Sequence, residues 1–180
     1  MKRDARTSIL LSLYVAALPA LAQMGSMTTP PLSNLPASAA GATLAIIGPN
    51  SQSVLPGEMI KTMPHQNVTL ENAHTHATET YSGVRLLDLL LPAGAPTGKD
   101  VHGGALSDYV VATGSDGYKA VLALAEIEPD FHPGQVLVAD SMNGKPLDTA
   151  QGPFQLIVTE DKHPARSVHN LVKIELKQAQ

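Results

Sequence analysis

Two histidines one residue apart, His74 and His76, form the most conspicuous chemical pattern in this sequence. If their stretch is extended, period-two geometry places both imidazoles on one face, where they could ligate zinc or copper. A third ligand would have to come from His65, His102, His132, His163 or His169. Two ligands rarely make a site, so a polar loop or strand edge is the competing reading. Ser115-Asp116-Gly117-Tyr118 offers a carboxylate and a phenol, although Asp-Gly is first a turn former. Ser115 has no G-x-S-x-G elbow around it, which excludes a serine hydrolase. The densest polar run is Asp161-Lys162-His163-Pro164-Ala165-Arg166-Ser167-Val168-His169-Asn170. There Arg166, Ser167, His169 and the backbone amides can bind an anion or a heterocycle edge, or can simply make a solvated loop. No glycine-rich phosphate loop, Rossmann fingerprint or EF-hand loop is present.

The elements that must hold these residues are short and apolar, punctuated by Gly, Pro, Asn and Asp. Strands are predicted at Thr43–Ile47, Val68–Leu70, Thr78–Tyr81, Asp108–Thr113, Tyr118–Leu124, Val136–Ala139, Phe154–Val158 and Val172–Leu176. Gly114-Ser115-Asp116-Gly117 is a strong hairpin signal, and Asn143-Gly144 marks a second turn. Pro56 opens a short helix through Met63 with Met59, Ile60 and Met63 on one face, stopped by Pro64. Val84, Leu86, Leu87, Leu90 and Leu91 predict the apolar side of a second, ending before Pro92. Without regular βαβ alternation, a doubly wound parallel sheet is excluded and a β-rich α+β domain is expected.

Composition narrows the function classes. The 180 residues are 43% hydrophobic and 16% charged, enough for one ordinary core. A net charge of −4 argues against nucleic acid or an anionic membrane surface as partner. With no cysteine there is no disulfide, thiolate metal site or thiol nucleophile. Residues 1–22 read as a secretory signal peptide: Lys2 and Arg3, an apolar run from Ile9 to Leu18, and Ala20-Leu21-Ala22 as the cleavage site. The run is too short for a comfortable membrane span, and the chain has neither a lipid-bearing Cys nor a twin-arginine pair. Cleavage after Ala22 takes Lys2, Arg3, Arg6 and Asp4, leaving a mature charge of −6 and a periplasmic product with no membrane insertion. Residues 23–42 are a flexible lead-in, and 43–178 form the domain.

The order of segments adds a resemblance. Tyr81-Ser82-Gly83-Val84-Arg85-Leu86-Leu87-Asp88-Leu89-Leu90 resembles the "ysGvpLrdLL" segment of the sulfite-oxidase-type molybdopterin-binding domain. Ser115-Asp116-Gly117-Tyr118 with Leu124-Ala125-Glu126-Ile127 resembles its "sDGY…l…El" strand, and Asn143-Gly144-Lys145-Pro146-Leu147 its "nGepL" turn. Gly152-Pro153-Phe154-Gln155-Leu156-Ile157-Val158 is similar to "GPlRlvvP", and Ala165-Arg166-Ser167-Val168-His169-Asn170-Leu171 to the terminal "kSVKwv" loop. The five matches are collinear from about Thr43 to Leu176.

The resemblance implies a single α+β domain, a β-rich, mixed-sheet sulfite-oxidase-like molybdopterin-binding fold with a pterin held between loops. It does not imply the enzyme. Catalytic members ligate molybdenum through a cysteine just upstream of "GvpL", where this chain has Leu70-Glu71-Asn72-Ala73-His74-Thr75. The "GPlR" arginine is Gln155 here, and the "SVKw" lysine is His169. Without that ligand and those cations, a charged metal–dithiolene–phosphate group loses its grip, whereas a neutral pterin asks only for a few donors and acceptors. The chain thus resembles the cysteine-less branch: periplasmic, non-catalytic proteins that report a reduced, unphosphorylated pterin to the periplasmic domain of a transmembrane diguanylate cyclase/phosphodiesterase, in cyclic di-GMP signalling. The expected pterin-binding residues are His74, Thr75, Asp116, Tyr118, Arg166, Ser167 and His169. Three alternatives stand beside it: a molybdenum-cofactor oxidoreductase with non-cysteine ligation, a histidine-based periplasmic metal-binding protein, and an interaction module with a vestigial pocket.

Overall fold

The computed structural model describes residues 41–179; the expected leader and all of the 23–42 lead-in except its last two residues fall outside them. Within the described span, ten short strands and three short helices build two sheets. β1 (Thr43–Ile47) buries Leu44 and Ile46 and leaves the residues between them more open, the pattern of a strand with one wet face. It pairs antiparallel with β2 (Gln52–Pro56) and parallel with β10 (Leu171–Gln178), which pairs in turn with β5 (Asp108–Gly114), and β5 with β6 (Lys119–Ala123). The first sheet therefore runs β2-β1-β10-β5-β6. The second carries β3 (Gln66–Glu71), β4 (Thr78–Arg85), β7 (Val136–Met142) and β8 (Lys145–Pro146), with β9 (Gln155–Val158) also on β7.

The main core joins the two sheets. Leu44, Ile46, Val110, Leu122 and Ile174 from the first meet Val84, Val138 and Leu156 from the second, with Phe154 and helix α2 (Leu86–Leu90) completing it. The opposite face of the second sheet carries a smaller cluster of Val68, Tyr81, Leu137, Ala139, Leu147 and Ile157. Strand alternation makes this division: in β9, Leu156 and Val158 turn to the main core while Ile157 joins the smaller cluster.

Four local readings change. β2 is a strand that the sequence did not announce, because an exposed edge strand carries no hydrophobic alternation. Helix α1 spans Gly57–Thr62, but Met59 is 52% exposed while Ile60 is fully buried, so they do not share a face. Val84 belongs to the end of β4 rather than to α2, and the strand expected to reach Leu124 stops at Ala123, where helix α3 (Leu124–Ile127) begins. There Glu126 accepts a hydrogen bond from the Ala123 N–H at 2.7 Å, a side-chain cap that turns the chain.

Candidate functional site

Tyr81 and Ile157 of the smaller cluster, with Leu70 packed against it, line a cleft of about 670 Å³, a size that suits a bicyclic or larger small molecule. Its rim comes from the 71–77 loop, the β5–β6 hairpin tip and the 159–169 loop. Asn72 organises the first: its Oδ1 accepts the N–H groups of His74 (2.9 Å) and Thr75 (3.0 Å), and its amide donates to Glu79 Oε1 (2.8 Å). Glu79 Oε2 accepts the Tyr81 hydroxyl at 2.7 Å. Burial, then the adjacent Glu79 carboxylate, hold the Tyr81 phenol well above its ordinary range, so it stays protonated. Asn72, Glu79 and Tyr81 thus make one hydrogen-bonded wall.

The hairpin tip is fastened across the cleft. Asp116 Oδ1 accepts the Tyr118 N–H (2.9 Å), the usual task of Asp in such a turn, and the Tyr118 hydroxyl donates to the Ala165 carbonyl (2.6 Å). The 159–169 loop is closed by Arg166. Its Nε and Nη2 bind Asp161 at 2.9 and 2.6 Å, and its Nη1 binds Glu126 at 3.0 Å. These hydrogen bonds to Asp161 and then Glu126 raise the guanidinium pKa further, so the charge is permanent and already matched.

Of the seven residues expected at the site, His74, Asp116, Tyr118, Ser167 and His169 line this cleft. Thr75 does not; it closes the 71–77 loop, its Oγ1 accepting the Ala77 N–H at 3.3 Å. Arg166 does not either; it lines a smaller cavity of about 110 Å³ with His132 and Glu160. The two histidines of the His74-x-His76 pattern separate. The stretch is a loop, not a strand; His76 has a positive φ of 56° and pairs with Glu71 at 2.7 Å. Among the described residues no group of three or more His, Asp or Glu side chains could hold a metal ion.

The sequence missed Glu79, Tyr81, Asn72 and Gln151 as site residues, and noted Gln155 only as a replaced arginine. Gln155 did leave a signal: it is the single polar residue inside the apolar run Phe154–Val158, and a strand buried on both faces has no ordinary use for an amide. It lines the cleft, as does Gln151.

Comparison with known proteins places this geometry. The model of the oxidoreductase molybdopterin-binding domain matches residues 36–180. Among solved structures, the chain is similar to the sulfane dehydrogenase SoxCD from Paracoccus pantotrophus, with a TM-score of 0.60 and 18% identity over 77% of this chain. The match spans only 38% of that longer chain, so the likeness is one of fold. No curated protein matches.

Proposed function

This chain belongs to the oxidoreductase molybdopterin-binding domain family, and from that premise we propose that its cleft holds an unphosphorylated, metal-free pterin and that the protein performs no redox chemistry itself. The observation that carries this reading is the charge of the cleft. Among the described residues, Glu71, Glu79, Asp116 and Asp161 line it against one lysine, Lys162, and no arginine, while Arg166 is spent on Asp161 and Glu126. A metal–dithiolene–phosphate group is anionic and is gripped by arginine or lysine and a thiolate. This donor set does not fit it: there is no thiol in the chain, and Gln155 supplies an amide on the cleft floor where the family's arginine stands. A neutral bicyclic heterocycle does fit. The apolar floor takes its rings, and carboxylates and amides meet its polar edge.

The proposal extends to the relay. The leader pattern supports delivery to the periplasm, where occupancy of the cleft would be read by the periplasmic domain of a transmembrane diguanylate cyclase/phosphodiesterase. The 159–169 loop, tied by Tyr118 to the Ala165 carbonyl and by Arg166 to Asp161, borders the cleft and offers such a partner a surface beside the ligand. The test is anaerobic purification of the exported protein, followed by mass spectrometry of released small molecules and metal analysis of the same sample. Near-stoichiometric pterin without molybdenum is expected. Molybdenum carried by a dithiolene pterin overturns the reading and makes the protein an enzyme.

A further inference from the structure

Buried polar atoms without partners are rare in folded proteins, and each one asks for a reason. Among the described residues four side-chain atoms are in that state: Asp108 Oδ1, Thr113 Oγ1, Gln151 Oε1 and Gln155 Oε1. The two glutamines both line the cleft. Gln155 is 3% exposed, so its amide has been taken from water with nothing on the acceptor side to replace it.

The Gln151 amide has an acceptor on the same wall. Tyr81 gives its hydroxyl proton to Glu79, so the phenol oxygen is left as an acceptor on the wall that it shares with Gln151, whose side-chain oxygen has no partner. Only the –NH₂ end of a carboxamide can serve an acceptor, so Tyr81 cannot satisfy that oxygen. Glu79 adds acceptor capacity beside it, with one lone pair on each oxygen engaged by Asn72 and Tyr81. This part of the cleft is therefore rich in acceptors and poor in free donors.

We infer that Gln151 and Gln155 read the N–H donor edge of the ligand, so that the cleft selects a 2-amino-4-oxo pteridine over the same ring with a carbonyl at position 2. The inference rests on the pterin reading above and sharpens it to one edge of the ring. Both oxygens are buried on residues that line the cleft, and the broad terminal torsion of glutamine lets them turn onto a bound donor. The orphaned amides are then a cost carried by the free protein and recovered on binding.

The test titrates the ligand-free exported protein with 6-hydroxymethylpterin and with 6-hydroxymethyllumazine, in which a carbonyl replaces the 2-amino group. Wild type is expected to bind the pterin at least about tenfold more tightly, since a mismatched acceptor leaves a buried group unpaired. Gln155→Leu should bring the two affinities within about threefold, and should leave the thermal midpoint of the free protein unchanged or higher because it removes an unsatisfied amide. If Gln155→Leu does not fold, Gln151→Leu carries the same affinity comparison. Equal binding of both compounds by wild type overturns this inference and leaves the pterin reading standing. Full retention of the preference in the variant that folds removes that glutamine as a reader. Binding of neither compound removes the pterin reading and this inference with it.

Discussion

Replacing Arg166 by methionine separates a structural guanidinium from a ligand-binding one. The side chain makes two hydrogen bonds to Asp161 and one to Glu126, at 2.9, 2.6 and 3.0 Å. Breaking a fully buried pair strands a charge and costs about 3–5 kcal/mol, whereas exposed pairs are worth about 0–1 kcal/mol. Arg166 is 34% exposed and Asp161 16%, between those limits, and screening reduces the share from the more exposed Glu126. Methionine keeps most of the apolar stem, so the loss falls on the charges, at about 2 kcal/mol. For a domain of this size that corresponds to a fall of about 6–8 °C in Tm. The assay is a thermal melt of wild type, Arg166→Met, Asp161→Asn and the double variant, each with and without 6-hydroxymethylpterin. The double variant should regain about half of the loss, because the more buried Asp161 carboxylate is then no longer stranded and only the more exposed Glu126 lacks its partner. Ligand affinity should change by less than about threefold, since Arg166 lies outside the main cleft. An unmoved Tm together with lost ligand binding would refute the argument and return Arg166 to the ligand.

Other perturbations test the frame of the site. His65 donates from Nδ1 to the Met63 carbonyl at 2.7 Å and from Nε2 to Asp140 at 3.1 Å, which only the doubly protonated ring can do. Burial opposes that charge but is outweighed by the Met63 and Asp140 hydrogen bonds, so its pKa lies above the ordinary 6.5. The stabilisation is thus complete below 6.5 and fades as pH rises through the folded-state value; unfolding curves of wild type and His65→Gln should converge with rising pH, and parallel curves would sink the assignment. Phe154→Ala, which empties the largest fully buried side chain, should cost about 3–5 kcal/mol in denaturant unfolding. Gly83→Ala sets a methyl group against the Val138 carbonyl and the Ala139 backbone of β7; a loss of about 3 kcal/mol is expected, and a neutral outcome would mean that β4 and β7 do not approach so closely there.

What the sequence revealed depended on whether the signal was local. The β5–β6 hairpin was legible because Gly-Ser-Asp-Gly fits only a turn between its apolar runs, and β1 and β9 because their apolar stretches are compact. The loops that rim the cleft were found as polar clusters, and five of the seven expected residues do line it. That Arg166 lies off this cleft was not legible because its partner Glu126 is 40 residues away, a pairing that no local pattern contains. The same holds for the wall of Asn72, Glu79 and Tyr81: each residue is unremarkable in an exposed strand or loop, and the hydrogen bonds among them appear only when β3 and β4 pair. For His74 and His76 the spacing left a strand and a loop both open, and the Asn72 side chain, accepting the His74 and Thr75 N–H groups, makes the stretch a turn.

The position of β10 bears on how this protein is made. It is the last strand of the chain and the middle strand of its sheet, seated between β1 and β5. During synthesis β1 and β2 emerge early and β5 and β6 later, yet neither pair can join the other until residues 171–178 have left the ribosome. Closing so long a span requires most of the described domain, so the contact order of the first sheet is high and fragments that lack β10 cannot complete it. A nascent chain cannot join these two β-ribbons until β10 has been made, and removal of residues 171–178 should leave the first sheet as two unjoined ribbons.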